Sequence, residues 1–74
     1  MTKEQLMKEN QGKFFEFTFS DGEKTMGKLL QVDALHNEFI YEMTSTNQPT
    51  RYENRRGSYS ASLAELTAAE LLDK

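Results

Sequence analysis

The sequence predicts a mostly β protein, a small and strongly bent barrel of five short strands with a short helix at each end. Three observations carry that expectation. Phe15, Phe17 and Phe19 alternate with Glu16 and Thr18, the period of two that marks a half-buried strand. Asp21-Gly22 follows at once and suits a tight hairpin turn. Gly27 and Gly57 stand where five short strands need bends or bulges in order to curl.

Each element has its own local reason. Thr2-Lys3-Glu4-Gln5 reads as a capping box that opens a helix from Lys3 to Glu9, with Gly12 suited to stop it. A helix this short must pack on something else. Lys13 to Phe19 is the first strand, and Phe14 points to the face opposite the other phenylalanines, a core or interface position. Ser20 to Glu23 is the turn. Lys24 to Val32 returns, and Gly27 within it signals a bend, a bulge or a close backbone approach. Asp33 to Asn37 is a short connection, and Phe39 to Met43 is a third strand. Thr44 to Thr50 is polar, holds the only proline and reads as a loop. Arg51 to Gly57 is expected to form a fourth, partly exposed strand, and Tyr59 to Leu66 to contain a fifth. Thr67-Ala68-Ala69-Glu70 matches a second capping box, which predicts a C-terminal helix reaching Lys74.

The chain has 74 residues, which is room for one domain spanning 1–74. A core this small needs support, and with no cysteine there are no disulfides and no thiolate metal ligands. Oligomerisation is the support left. The formal charge of −3 argues against a nonspecific duplex DNA binder, whose affinity comes from neutralising phosphates. No apolar run approaches the ~18 residues of a membrane span, and MTKEQLMKENQG lacks the apolar core of a signal peptide. A cytoplasmic protein is expected. Catalysis finds no support. One histidine and no cysteine leave few nucleophile–base arrangements, and neither a phosphate-cradling glycine loop nor metal-ligand spacing is present. No cofactor is expected.

Gly12 to Ile40 reads GKFFEFTFSDGEKTMGKLLQVDALHNEFI. The joint spacing of Phe15, Phe17, Phe19, Gly22, Gly27, Leu29, Val32, Asp33, Asn37 and Ile40 resembles the first motif of the Sm and Sm-like (LSm) proteins. That family's second motif ends in an aliphatic residue, an arginine and a glycine. Here Arg55-Arg56-Gly57 offers the Arg-Gly pair, with an arginine in the aliphatic place. The resemblance implies a five-stranded SH3-like/Sm-like barrel. It also implies a homo-oligomeric ring, commonly of about five to seven subunits, in which the fourth strand of one subunit pairs with the fifth of the next. Such pairing would satisfy orphan backbone groups at sheet edges.

The resemblance further implies a pore site for single-stranded, often uridine-rich RNA, built from the loop after strand 2 and the Arg-Gly loop. On this chain those residues are Asp33, Leu35, His36, Asn37, Arg56 and Gly57. Asn37 matches the residue whose amide reads a base edge, since an amide both donates and accepts. Asp33 matches the residue that orients the loop. Arg56 matches the arginine that packs on the base plane. Leu35 stands where the family usually has an aromatic or histidine, and His36 comes one residue late. Leucine lacks π-stacking worth about 1–3 kcal/mol per base, so weak binding per subunit is expected, offset by ring multiplicity.

Plainer readings stand beside these. Asp33 serves equally to cap a turn, Asn37 to hold a left-handed backbone, and His36 to sit solvated in a loop. Arg51, Arg55 and Arg56 suit a solvated strand face, and Tyr52 and Tyr59 suit cross-strand packing. The alternative function is an oligomeric protein-interaction or assembly barrel with no RNA role.

Overall fold

The computed structural model describes residues 2–52 and 57–72. One helix precedes five antiparallel strands in a single sheet. Helix α1 (Lys3–Glu9) starts at the expected capping box: the Gln5 amide donates to Thr2 Oγ1 and the Thr2 amide to Gln5 Oε1, both at 3.2 Å. Met7 is the helix residue that enters the core.

The strands are β1 (Phe14–Phe19), β2 (Lys24–Asp33), β3 (Glu38–Thr46), β4 (Gly57–Ser62) and β5 (Leu66–Leu71), in the spatial order β4-β3-β2-β1-β5. Phe15 and Phe17 of β1, Leu29 of β2, and Phe39, Tyr41 and Met43 of β3 point to one buried face, as a period of two requires. Their rings interlock. Phe17 lies 4.9 Å from Phe39 and 5.2 Å from Tyr41 between centroids, in tilted pairs that add about 0.5–1.5 kcal/mol each beyond burial. Phe14 faces outward, 45% exposed.

Gly27 performs two of the roles foreseen for it. The β2–β3 register shifts between Met26 and Gly27, and a Cβ at Gly27 would collide with the Glu42 carbonyl of β3. A second shift, between Leu29 and Gln31, sharpens the twist of β2 further. Gly22, at φ +91°, supplies the left-handed backbone that the Asp-Gly turn demands.

Three sequence expectations give way in the second half. First, β3 runs on to Thr46, so the polar loop begins later, at Asn47, and contains a 3-10 turn at Pro49–Arg51. Second, the fourth and fifth strands lie further along the chain than expected. The stretch Tyr59 to Leu66 is not one strand: Tyr59 to Ser62 ends β4, a 3-10 turn covers Leu63–Glu65, and Leu66 opens β5. Of the expected fourth strand, residues 53–56 lie outside the described residues, and Gly57 is the first residue of β4.

Third, the C-terminal helix is replaced by β5 through Leu71; Asp73 and Lys74 lie outside the described residues. A helix of this length is marginal in water. In the extended form Leu71 pairs with Phe15 and Ala69 with Phe17, and Leu66 is buried opposite Phe19. The Thr67 hydroxyl donates to the Thr18 carbonyl at 3.0 Å instead of capping a helix. Packing against β1 outweighs the local helix signal. Among the described residues no ladder joins β4 to β5, so the sheet keeps two edges.

Candidate functional site

The β2–β3 loop holds four of the six residues singled out in the sequence. Asp33 ends β2 opposite Glu38. Its Oδ1 accepts the His36 amide at 3.2 Å, and its Oδ2 lies 2.7 Å from His36 Nδ1. An ionised carboxylate only accepts, so Nδ1 carries the hydrogen. The bond to His36 holds the Asp33 carboxyl below its ordinary pKa. Asn37 has φ +57°, the left-handed geometry that asparagine tolerates best after glycine. Its amide donates to the Ala34 carbonyl at 3.3 Å, and its own carbonyl accepts from the Leu63 amide at 2.9 Å. The loop is thereby tied to the turn between β4 and β5. Asp33 and Asn37 thus both shape the loop, while the Asn37 side chain remains exposed. Leu35 is 88% exposed and the His36 side chain 67%.

Gly57 does not join this loop. Arg56 lies outside the described residues. Gly57 pairs with Met43, whereas Ser62 pairs with Glu38, the residue that follows Asn37. Gly57 therefore stands at the far end of the β3–β4 ladder, about 17 Å along the strand at ~3.4 Å per residue. The residues that meet the loop are Ser62 and Leu63. Ser62 Oγ accepts the Ala64 amide at 3.1 Å and so caps the turn itself.

A second cluster was not foreseen. Glu23 is only 5% exposed, an unusual place for a carboxylate. It is fully engaged. Oε2 accepts from Thr46 Oγ1 at 2.9 Å and from the Tyr52 hydroxyl at 2.6 Å, and Oε1 meets Arg51 Nη1 at 2.8 Å. Arg51 also reaches Asp21 Oδ2 at 2.6 Å. The Glu23 backbone amide and then Arg51 hold the Asp21 carboxyl below its ordinary pKa, and Asp21 raises that of Arg51 in turn. Burial, followed by the bond to Glu23, pushes the Tyr52 phenol well above its usual range, and burial also raises that of Tyr41. One sequence signal pointed here. Glu23 is in phase with Thr25, Gly27 and Leu29, all on the buried face of β2.

Beside this cluster a cleft of about 250 Å³ opens between β4, the β1–β2 turn and Glu65. Tyr41, Tyr52 and Tyr59 wall it. Among the described residues no group of three or more histidine or acidic side chains is placed to hold a metal ion, and no helix is long and apolar enough to cross a membrane. No protein-family model matches the chain, and no curated protein matches it.

Proposed function

We propose that this protein is an Sm-like subunit that forms a homo-oligomeric ring by pairing β4 of one copy with β5 of the next. The ring takes short single-stranded RNA at its opening through the loops from Asp33 to Asn37. The strand order carries this reading. β4 and β5 are the two edges of the sheet, and each is six residues long. Unpaired edges invite pairing, and two edges of equal length can satisfy each other between copies. These are the strands that the family resemblance assigns to the ring contact.

The RNA part of the proposal rests on Asn37, whose exposed amide stands on a backbone fixed at both its N–H and its carbonyl. Such an amide suits a uracil edge at little ordering cost. Gly57 stands too far along β4 to complete that site, so Ser62 and Leu63 are its neighbours instead. The cysteine-free chain suits work in a reducing cytoplasm.

A second reading, assembly without RNA, has one observation in its favour. No lysine or arginine lies between Val32 and Thr50, while Asp33 and Glu38 flank the loop. Light scattering for the oligomer mass, followed by fluorescence polarisation with labelled oligo-uridine and oligo-adenine at two salt concentrations, separates the readings. A ring-sized species that prefers uridine, with the preference lost in Asn37→Ala, is expected. A monomer defeats the assembly proposal. A ring that retains neither oligomer defeats the RNA proposal and leaves the second reading.

A further inference from the structure

The tyrosine-walled cleft shares no residue with the Asp33–Asn37 loop, and its chemistry differs. Its volume of about 250 Å³ falls below the ~300–1,000 Å³ of pockets that enclose drug-sized ligands, so a single side chain fits better than an extended molecule. The ring centroids of Tyr41 and Tyr59 lie 6.2 Å apart, and Tyr52 meets Tyr59 edge-on at 5.1 Å. Asp21, Glu23 and Glu65 add carboxylates to the lining, and no described lining residue is a lysine or arginine. Arg51 answers Asp21 and Glu23 from outside the lining. Among the described residues no lysine or arginine answers Glu65. It is exposed, its Oε2 accepts from Ser20 Oγ at 2.6 Å, and among the described residues its Oε1 accepts no hydrogen bond.

We propose that this cleft binds the guanidinium of an arginine in a basic segment of a partner protein. Two features of the cleft match that group together. A guanidinium is flat and weakly hydrated, so it lies against tyrosine faces and gains a cation–π attraction. Its forked N–H groups meet a carboxylate in a charge-assisted pair, which Glu65 offers at the mouth. A lysine ammonium is a compact, strongly hydrated point charge that makes no such planar contact. The assignment does not depend on RNA binding; it draws on Tyr59 to Ser62 of β4, the strand whose backbone edge the ring would pair.

The test is a heteronuclear NMR titration of the whole protein with the blocked tripeptide Gly-Arg-Gly. The same tripeptide carrying citrulline, a neutral isostere, and one carrying lysine serve as comparisons. Saturable shifts centred on Tyr59, Ser60 and Glu65 are expected with arginine, with the lysine and citrulline peptides at least about tenfold weaker. Glu65→Gln, at an exposed position, should keep the spectrum dispersed and weaken arginine binding about tenfold. The proposal is overturned by the absence of saturable shifts at about 10 mM peptide, a concentration beyond any useful single-site affinity. It is equally overturned if citrulline or lysine binds as well as arginine, or if Glu65→Gln binds like the parent protein.

Discussion

Two turns of this molecule begin with the same local device and end in opposite situations. After β1, Asp21 Oδ1 accepts the Glu23 amide at 3.0 Å. After β2, Asp33 Oδ1 accepts the His36 amide at 3.2 Å. Each aspartate then holds a nitrogen with its second oxygen, Arg51 at 2.6 Å in the first turn and His36 at 2.7 Å in the second. There the likeness stops. The first turn feeds Glu23 into the buried phase of β2, where Thr46, Arg51 and Tyr52 converge on it. The second projects Leu35 and His36 into water. Local turn chemistry is therefore the same in both. Long-range side-chain partners bury Glu23 of the first turn, whereas Leu63 holds the second through its backbone and leaves the side chains of Leu35 and His36 exposed.

Breaking the first turn should have the larger consequences. Glu23→Ala leaves the Tyr52 and Thr46 hydroxyls and one side of Arg51 without their acceptor, and is expected to cost about 3 kcal/mol, read from the denaturant midpoint. A loss below about 1 kcal/mol would show that water replaces the carboxylate easily and that the cluster is not structural. Tyr52→Phe removes one donor and should cost about 1–1.5 kcal/mol in the same measurement. In the second turn, Asn37→Ala forces a side chain without the asparagine's tolerance into left-handed backbone, for about 1 kcal/mol. Asp33→Asn, on an exposed pair, should leave the denaturant midpoint nearly unchanged.

Acid sharpens the same contrast. Asp21 and Asp33 both have folded pKa values below the ordinary 3.8. A depressed carboxyl stabilises the fold above its unfolded value, and that contribution disappears as pH falls through the folded value. Thermal midpoints should therefore fall below about pH 4. Asp21→Asn should flatten that fall more than Asp33→Asn, because the partner of Asp21 also holds buried Glu23. An equal effect would mean that the two turns are energetically alike.

The first half of the fold was legible because its signals are local and agree. The alternating phenylalanines, the Asp-Gly turn, the Thr2 capping box and Gly27 each specify what the structure then builds. The second half was not. The sequence of β4, GSYSAS, carries one large apolar residue, so its strand was placed too early. Thr67 to Glu70 satisfies a helix-start pattern that only pairing with β1 overrides. Within the site, Asp33 and Asn37 were readable because their turn contacts, to His36 and Ala34, each span three positions. The Glu23 cluster was not, because its partners lie 23 to 29 positions along the chain. Gly57 shows the converse: it matches a motif by residue type, yet it opens β4 at the end away from the Asp33–Asn37 loop.

The bond from the Leu63 amide to the Asn37 carbonyl, at 2.9 Å, has a consequence for how this protein can be altered. It makes two connections that are distant in the chain into one spatial unit. An insertion in either would pull the bond apart unless the other were lengthened to match. Loop grafts that exchange both connections together should therefore survive where single grafts fail, although both lie at the surface where length changes are ordinarily tolerated. The two corners are inherited, or redesigned, as a pair.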